Sequence, residues 1–302
     1  MQHYYESIRL TFYFDPPTYD QLYNLPVSSE PIPDAGHWFF IRFTARTGST
    51  VFAELLSQHP DVHCSNESEF IGTIWPILRA KRFVYSGANL EQSFISHHGD
   101  RISWNLAKFR TVMEALRQVS TTKPFYGDKT GLLRFTQPLL TRYNALYVRA
   151  FPSAKYFLMV RSPLDQVSSW INQRWSPHIE GREKRIADIH SKIKAIYQNN
   201  VYAKPYTNLI IEFERFFEKT NMINYLQESF KIIGADPTKY DYEQAWQSCR
   251  HLDSYQRWKK DTDISEYLAW LKERKYFELH DFLLQEEYFL SEALMKKTWP
   301  TK

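Results

Sequence analysis

Hydrophobic positions fall into short dense runs separated by stretches with helical spacing. HWFFIRF (37–43), aromatic and β-branched throughout, predicts a buried strand. It leads through TARTGST into VFAELLSQH, where Val51, Phe52, Leu55 and Leu56 recur on one helical face. A second unit repeats the order. LTRYNALYVRAFP (140–152) reads as a helix ending before Pro152, and AKYFLMV (154–160) as a buried strand. RSPLDQVSSWINQR follows as a helix, with Pro163 suited to its first turn and Asp165 favourable near its N-terminus. VHC (62–64) reads as a short edge strand and NLIIEF (208–213) as a further strand. Helices follow through ESFKIIGAD, where Gly234 marks a C-terminal stop. The region of about 241–302 is charged and mostly helical, with Trp246, Trp258 and Trp270 to anchor it.

Strands alternating with helices predict an α/β fold: a central parallel sheet flanked by helices, with ligands at the carboxyl ends of its strands. Residues 1–36, rich in Tyr and Pro, read as an extended arm. Residues 37–302 read as a single domain with helical insertions at about 70–120 and the helical C-terminal region. The polar stretches 81–100 and 174–186 are expected to be lids or insertions.

Composition narrows the function classes. The chain has 302 residues, 43% apolar and 24% charged, the mix of a globular protein and not of a disordered one. Nine Trp, 20 Tyr and 21 Phe can fill a large core and still line a pocket. A formal net charge of +4 is too balanced for a nucleic-acid footprint. Cys64 and Cys249 are too few for a disulfide framework and lack metal-ligand spacing, so a reduced compartment and no metal are expected. The start lacks the basic-then-apolar order of a signal peptide, and no apolar run reaches 18 residues. A cytoplasmic protein without a membrane span is the expectation.

A strand entering T-G-S-T and a helix aims backbone N–H groups and the helix dipole at an anion. Gly48 permits close backbone approach, Ser49 and Thr50 offer hydroxyls, and Arg46 adds a charge. The nucleoside-triphosphatase pattern G-x-x-x-x-G-K-[ST] fails twice, with Phe43 at its first glycine and Ser49 at its lysine. In R-S-P-L-D-Q-V-S-S, Arg161 ends a strand and Ser169 lies eight residues on, nearly on one face with it if the helix starts early. Arg161 and Ser169 could grip one phosphate together. The plainer alternative is a surface Arg161 paired with Asp165. Two cradles after two parallel strands suggest a ligand with two separated anionic ends.

At these residues the sequence resembles the sulfotransferases that use 3′-phosphoadenosine 5′-phosphosulfate (PAPS). FIRFTARTGSTVFAELLSQHPDV is similar to their 5′-phosphosulfate loop and helix, and KYFLMVRSPLDQVSSW to their 3′-phosphate motif. YGDKT (126–130) is similar to a block in bacterial and tyrosylprotein-type members, and NLIIEFERF resembles their later V-x-Y-E-x-L strand. The resemblance covers about residues 37–260 and implies the P-loop-like sulfotransferase fold.

The resemblance implies that Arg46, Thr47, Gly48, Ser49 and Thr50 hold the 5′-phosphosulfate, while Arg161 and Ser169 hold the 3′-phosphate. It places the catalytic base on Glu67, a transition-state-stabilising cation on Lys129, and a hydroxyl near the bridging oxygen on Ser254. Lys259 or Lys260 would help cover the nucleotide. His97 or His98 remains the competing base. The implied reaction moves SO₃ in line from PAPS to a hydroxyl or amine of a small-molecule acceptor and releases adenosine 3′,5′-bisphosphate (PAP), with cations and N–H groups stabilising the growing charge without a metal. The resemblance also allows a homodimer. Departures are Phe43 and Ala45 before the loop, where Phe43 would crowd its entrance, and Phe213 in place of a Tyr. The R-K-G-x-x-G-D-W block of cytosolic steroid and phenol sulfotransferases is absent. Segments 70–105 and 174–186 and the amino arm are expected to shape acceptor choice, with Trp75, Phe83, Tyr85 and Trp104 as pocket or core. The alternatives are a nucleotide-dependent phosphotransferase and an inactive PAP-binding homologue.

Overall fold

The computed structural model describes residues 37–66, 84–85, 88–89, 113–114, 117–118, 121–131, 148, 151–172, 179–250 and 256–299. The chain divides into two compact units. The smaller, Met1–Pro31 with Phe70–Glu114, includes an antiparallel pair, β3 (Val84–Tyr85) and β4 (Ala88–Asn89). The larger, Ile32–Glu69 with Ala115–Lys302, holds a five-stranded sheet, all of whose pairings are parallel. Its strands are β1 (Trp38–Phe43), β2 (Val62–Asn66), β5 (Phe125–Gly131), β6 (Lys155–Val160) and β7 (Leu209–Glu212), in the order β2-β5-β1-β6-β7. From β1 the chain builds outward to β2 on one side and then returns to build β6 and β7 on the other. The strand order therefore reverses at β1, and the crevice at its carboxyl end is where such sheets take ligands.

The strands form where buried on both faces. Phe39, Ile41 and Phe43 of β1 point into one core with Phe157, Met159 and Ile211. The helices α1 (Ser49–Ser57), α5 (Lys219–Ile233) and α6 (Tyr242–Cys249) cover it. Trp38 and Phe40 point the other way, onto Phe151 at 5.0 and 5.3 Å and onto the tyrosines of β5 and β6. Much of the aromatic excess is thus core, worth roughly 1.5–3 kcal/mol per fully buried large side chain. Lys123 fastens the end of α1 to the start of β2, donating to the carbonyls of Ser57, His59 and Val62 at 3.2, 3.0 and 2.9 Å. His59 is buried between Asp236 O and Asp61 N–H.

The described residues follow the expected elements with small shifts, except that β5, which pairs with both β1 and β2, is a strand the hydrophobic pattern did not predict. Phe213 closes no strand; it opens the short helix α4 (Phe213–Phe216). Gly234 ends α5 at φ 88, where a left-handed residue satisfies the last carbonyls. Pro163 and Asp165 lie in the first turn of α2 (Pro163–Ile171). The second half of the stretch 174–186 is the start of α3 (Arg182–Ala203), because Ile186, Ile189, Ile193 and Ile196 give that charged segment a buried face. Cys64 and Cys249 are both free and buried. The predicted helix over 140–152, the lid at 81–100 and the aromatics Trp75, Phe83 and Trp104 lie largely or wholly outside the described residues.

A second core joins α2 and α3 to α7 (Thr262–Glu273), α8 (Phe277–Leu284) and α9 (Glu292–Thr298), with Trp258 and Trp299 among its buried residues. No described helix is long and apolar enough to cross a membrane. His190 of α3 stands among Trp270, Tyr276 and Trp299, with Nδ1 2.9 Å from the Tyr267 hydroxyl. Burial, with Lys194 adding to it, pulls His190 from 6.5 down to about 4. Between those pH values the unfolded chain binds a proton there that the folded chain refuses, so stability rises with pH across that window and is lost as pH falls. Urea midpoints should therefore drop between pH 7 and pH 5 by more in the wild-type protein than in His190→Phe; equal drops would contradict this assignment.

Candidate anion-binding site

After Phe43 the chain turns through Thr44–Gly48 into α1. Arg46 (φ 71) and Gly48 (φ 80) both adopt the left-handed conformation, winding the backbone into a tight concave turn of the kind whose amides cradle anions. No side chain caps α1. Its first backbone bond runs from Phe52 N–H to Gly48 O at 3.3 Å, so the amides of Ser49, Thr50 and Val51 precede the helical ladder. The Thr47 side chain is fully buried, and its hydroxyl has no partner among the described residues. Buried polar atoms are rarely left so without a ligand or water to receive them.

Gly48 is required for two reasons. Its φ disfavours any side chain, and a Cβ there would stand 2.6 and 2.7 Å from Cε2 and Cδ2 of Phe213. The same Phe213 ring lies beneath the Arg161 guanidinium, 4.1 Å from its carbon, a cation–π contact in a dry setting. One aromatic ring thus touches the loop after β1 and the arginine after β6. Phe43, expected to crowd the entrance, turns instead into the core, 5% exposed, with the Lys129 ammonium 5.1 Å from its ring centroid.

The two cradles meet on Arg46. Arg161 Nη1 donates to the Arg46 carbonyl at 3.1 Å, and Arg46 Nε donates to Ser169 Oγ at 3.0 Å. Arg161 and Ser169 therefore flank the loop itself. Gln166 ties the same strand ends together, accepting from Thr44 and donating to Arg161 O at 2.7 Å. From β5, Lys129 Nζ donates to Thr50 Oγ1 at 2.7 Å, which puts a 3%-exposed ammonium beside the first turn of α1.

The surface pairing of Arg161 with Asp165 is a correction: both are buried, with Nη2 3.8 Å from Oδ2. Asp165 also accepts from the backbone N–H groups of Gln256 at 2.8 Å and Trp258 at 3.2 Å. Burial draws Arg161 below its ordinary pKa, opposed by Asp165 and Glu214, while Arg257 and Arg46 add like-charge repulsion. Burial likewise raises Glu214, against the pull of the Ser162 N–H and the Tyr288 hydroxyl, each 2.8 Å from one carboxylate oxygen. Lys259 and Lys260 are exposed on a 3-10 turn, Arg257–Lys260, and Lys259 Nζ bonds to Gln256 Oε1. Arg257 of that turn, which the sequence did not single out, adds to the field at Arg161. Gln166 carries no motif, and Glu214, although it stands at the Glu of the resembled V-x-Y-E-x-L strand, was given no role from the sequence. Glu67, Ser254, His97 and His98 lie outside the described residues. Among the described residues no group of three His, Cys, Asp or Glu could hold a metal ion.

A loop of oriented amides, the buried hydroxyls of Thr47 and Ser162 without a partner among the described residues, and converging arginines thus lie at the reversal point of the parallel sheet. The family model described as the sulfotransferase family matches residues 39–221, and the chain belongs to that family. Among curated proteins it is 26% identical over 137 residues to protein-tyrosine sulfotransferase 1 of Mus musculus, covering 45% of this chain and 34% of that protein. It is 28% identical over 139 residues to protein-tyrosine sulfotransferase A of Caenorhabditis elegans, covering 45% and 33%. The chain thus spans about a third of the length of these relatives. A sulfotransferase from Alicyclobacillus acidocaldarius matches over 80% of this chain and 97% of its own, at 15% identity and a TM-score of 0.46. A sulfotransferase domain from the Synechococcus PCC 7002 olefin synthase matches over 92% of each, at 15% and 0.45.

Gly48→Ala should lower stability by about 2 kcal/mol or more, since it adds left-handed strain to a steric conflict with Phe213. Phe213→Leu in that background should recover part of the loss. Urea unfolding checks both, and an alanine tolerated within about 0.5 kcal/mol would refute the packing account.

Proposed function

We propose that the protein transfers a sulfuryl group from PAPS to a hydroxyl or amine of a small-molecule acceptor and releases PAP. The observation that carries this reading is the convergence on Arg46: its carbonyl is held by Arg161 and its guanidinium by Ser169, so two anion-binding elements form one site. A donor with a 5′-phosphosulfate and a 3′-phosphate suits such a pair. The free Thr47 hydroxyl and the uncapped amides of Ser49–Val51 fit the 5′ end, and Arg161 with Ser169 fits the 3′ phosphate. The donor supplies the sulfuryl group: the acceptor oxygen or nitrogen bonds to sulfur as the bond from sulfur to the phosphate oxygen breaks.

The residues' tasks follow from charge. Negative charge grows on the leaving phosphate oxygen, where Arg46, Lys129 and the loop amides stabilise it. Lys129 is well placed because its bond to Thr50 holds the ammonium at the amide-rich end of α1. The acceptor's proton goes to a base, assigned to Glu67, the second residue after Ser65 and the one that follows β2 in the chain. Ser254 is assigned to the bridging oxygen. The curated relatives are named for tyrosine in proteins, so a tyrosine peptide is the second acceptor class to assay.

Thermal unfolding with PAP, with ATP–Mg²⁺ and with AMP tests the donor. PAP at about 100 times its Kd should stabilise by about 2.7 kcal/mol and shift the midpoint by a few degrees. Arg161→Ala should remove most of that shift. A response to ATP–Mg²⁺ and not to PAP would favour a phosphotransferase. With sulfur-labelled PAPS, Lys129→Met should cut kcat by about 100-fold while PAP still binds; PAP binding with no transfer to any acceptor in the wild-type protein would favour an inactive homologue.

A further inference from the structure

We infer that Asp165 is a positioning residue which makes Arg161 and the turn Gln256–Trp258 one mechanical unit, so that anion binding at Arg161 and closure of that turn share an equilibrium; this rests on the donor-site reading above. The carboxylate is fully buried. One oxygen accepts from Gln256 N–H and lies 3.8 Å from the Arg161 guanidinium, and the other accepts from Trp258 N–H. Both amides are more than 90 residues from Asp165 in sequence. Gln256 takes a left-handed conformation (φ 55), which a non-glycine residue holds only where its surroundings enforce it.

The turn is gripped a second time further along. Asp261 Oδ2 accepts from Ser168 Oγ at 2.7 Å and Asn172 Nδ2 at 2.9 Å, while its Oδ1 caps α7. The Asp261 latch therefore fastens the turn to α2 without touching Arg161. Asp165 joins the turn to the arginine directly. Among the described residues, the charges acting on Arg161 and Asp165 include Arg46, Arg257, Glu214 and Glu286, from the loop, the turn, α4 and the segment after α8. A carboxylate that merely neutralised Arg161 would compete with an incoming phosphate, and its removal would tighten binding. A carboxylate that holds the arginine and the turn in place does the opposite.

Hydrogen exchange at the Gln256 and Trp258 amides and PAP titration, in the wild-type protein, Asp165→Asn and Ser168→Ala, separate these roles. In the wild type, PAP should slow exchange at both amides, because a ligand that selects the closed turn must stabilise it in return. Asp165→Asn should speed exchange without ligand and raise the PAP Kd and the donor KM by about tenfold or more, with kcat at saturating donor within about threefold. Ser168→Ala should loosen the turn with much less effect on the PAP Kd. Tighter PAP binding in Asp165→Asn, or unchanged exchange and affinity, overturns the inference. If Asp165→Asn does not fold, the wild-type exchange decides: PAP binding that leaves both amides unprotected overturns it. Failure of the wild-type protein to bind PAP sinks the donor reading and with it the shared equilibrium, while ligand-free exchange in Asp165→Asn still reads the latch.

Discussion

The Phe213 ring touches two elements of the site at once. It packs so closely beneath Gly48 that only a glycine fits, and it carries the Arg161 guanidinium 4.1 Å from its centre. The loop after β1 and the strand end after β6 are parallel neighbours, with Phe43 opposite Met159. Parallel pairing brings their backbones side by side but does not fix how far their side chains stand apart. A rigid ring that touches both does. The loss of a hydroxyl at this position relative to the resembled strand motif leaves a purely apolar wedge.

Around that wedge the charges are arranged as a balance with a surplus. A buried guanidinium is costly unless it is paired, and Arg161 has Asp165, the Arg46 carbonyl and the Phe213 face about it. Glu214 adds a further negative charge within reach of Arg161. Against these stand Arg46, Arg257 and the ammonium of Lys129, together with the amides and the hydroxyl at the head of α1. Asp165 and Glu214 lie near the arginine, while Arg46 and Lys129 lie at the loop and the first turn of α1.

How far the sequence carried depended on distance along the chain. The strand–loop–helix units were legible because each obeys a local period and ends on a local signal such as Gly48, Pro163 or Gly234. Ser169 reaches the site from α2, but Arg161 stands before the first helical residue, Pro163, so the two share no helical face and it is the end of β6 that places the arginine. That they meet on Arg46 depends on β1 and β6 being neighbours, which no local pattern encodes. Asp165 read as a helix-start carboxylate or a surface partner because its two amide donors lie in a segment distant in sequence. Gln166 carries no motif and Glu214 stands at the Glu of the resembled V-x-Y-E-x-L strand without a role readable there; their contacts come from burial and from neighbours distant in sequence. Lys129 came from resemblance alone, and its bond to Thr50 gives it a physical place beside the loop. The proposed base Glu67 and Ser254 rest on resemblance still.

The central claim is that one ring fixes two anion cradles at a set spacing. Calorimetric titration of PAP, adenosine 5′-phosphate and adenosine 3′-phosphate into the wild-type protein and Phe213→Ala tests it most directly. If the ring sets the spacing, Phe213→Ala should weaken PAP, which must satisfy both cradles at once, by about tenfold more than it weakens either monophosphate. Equal weakening of all three ligands would mean that the cradles act independently, and would contradict the account.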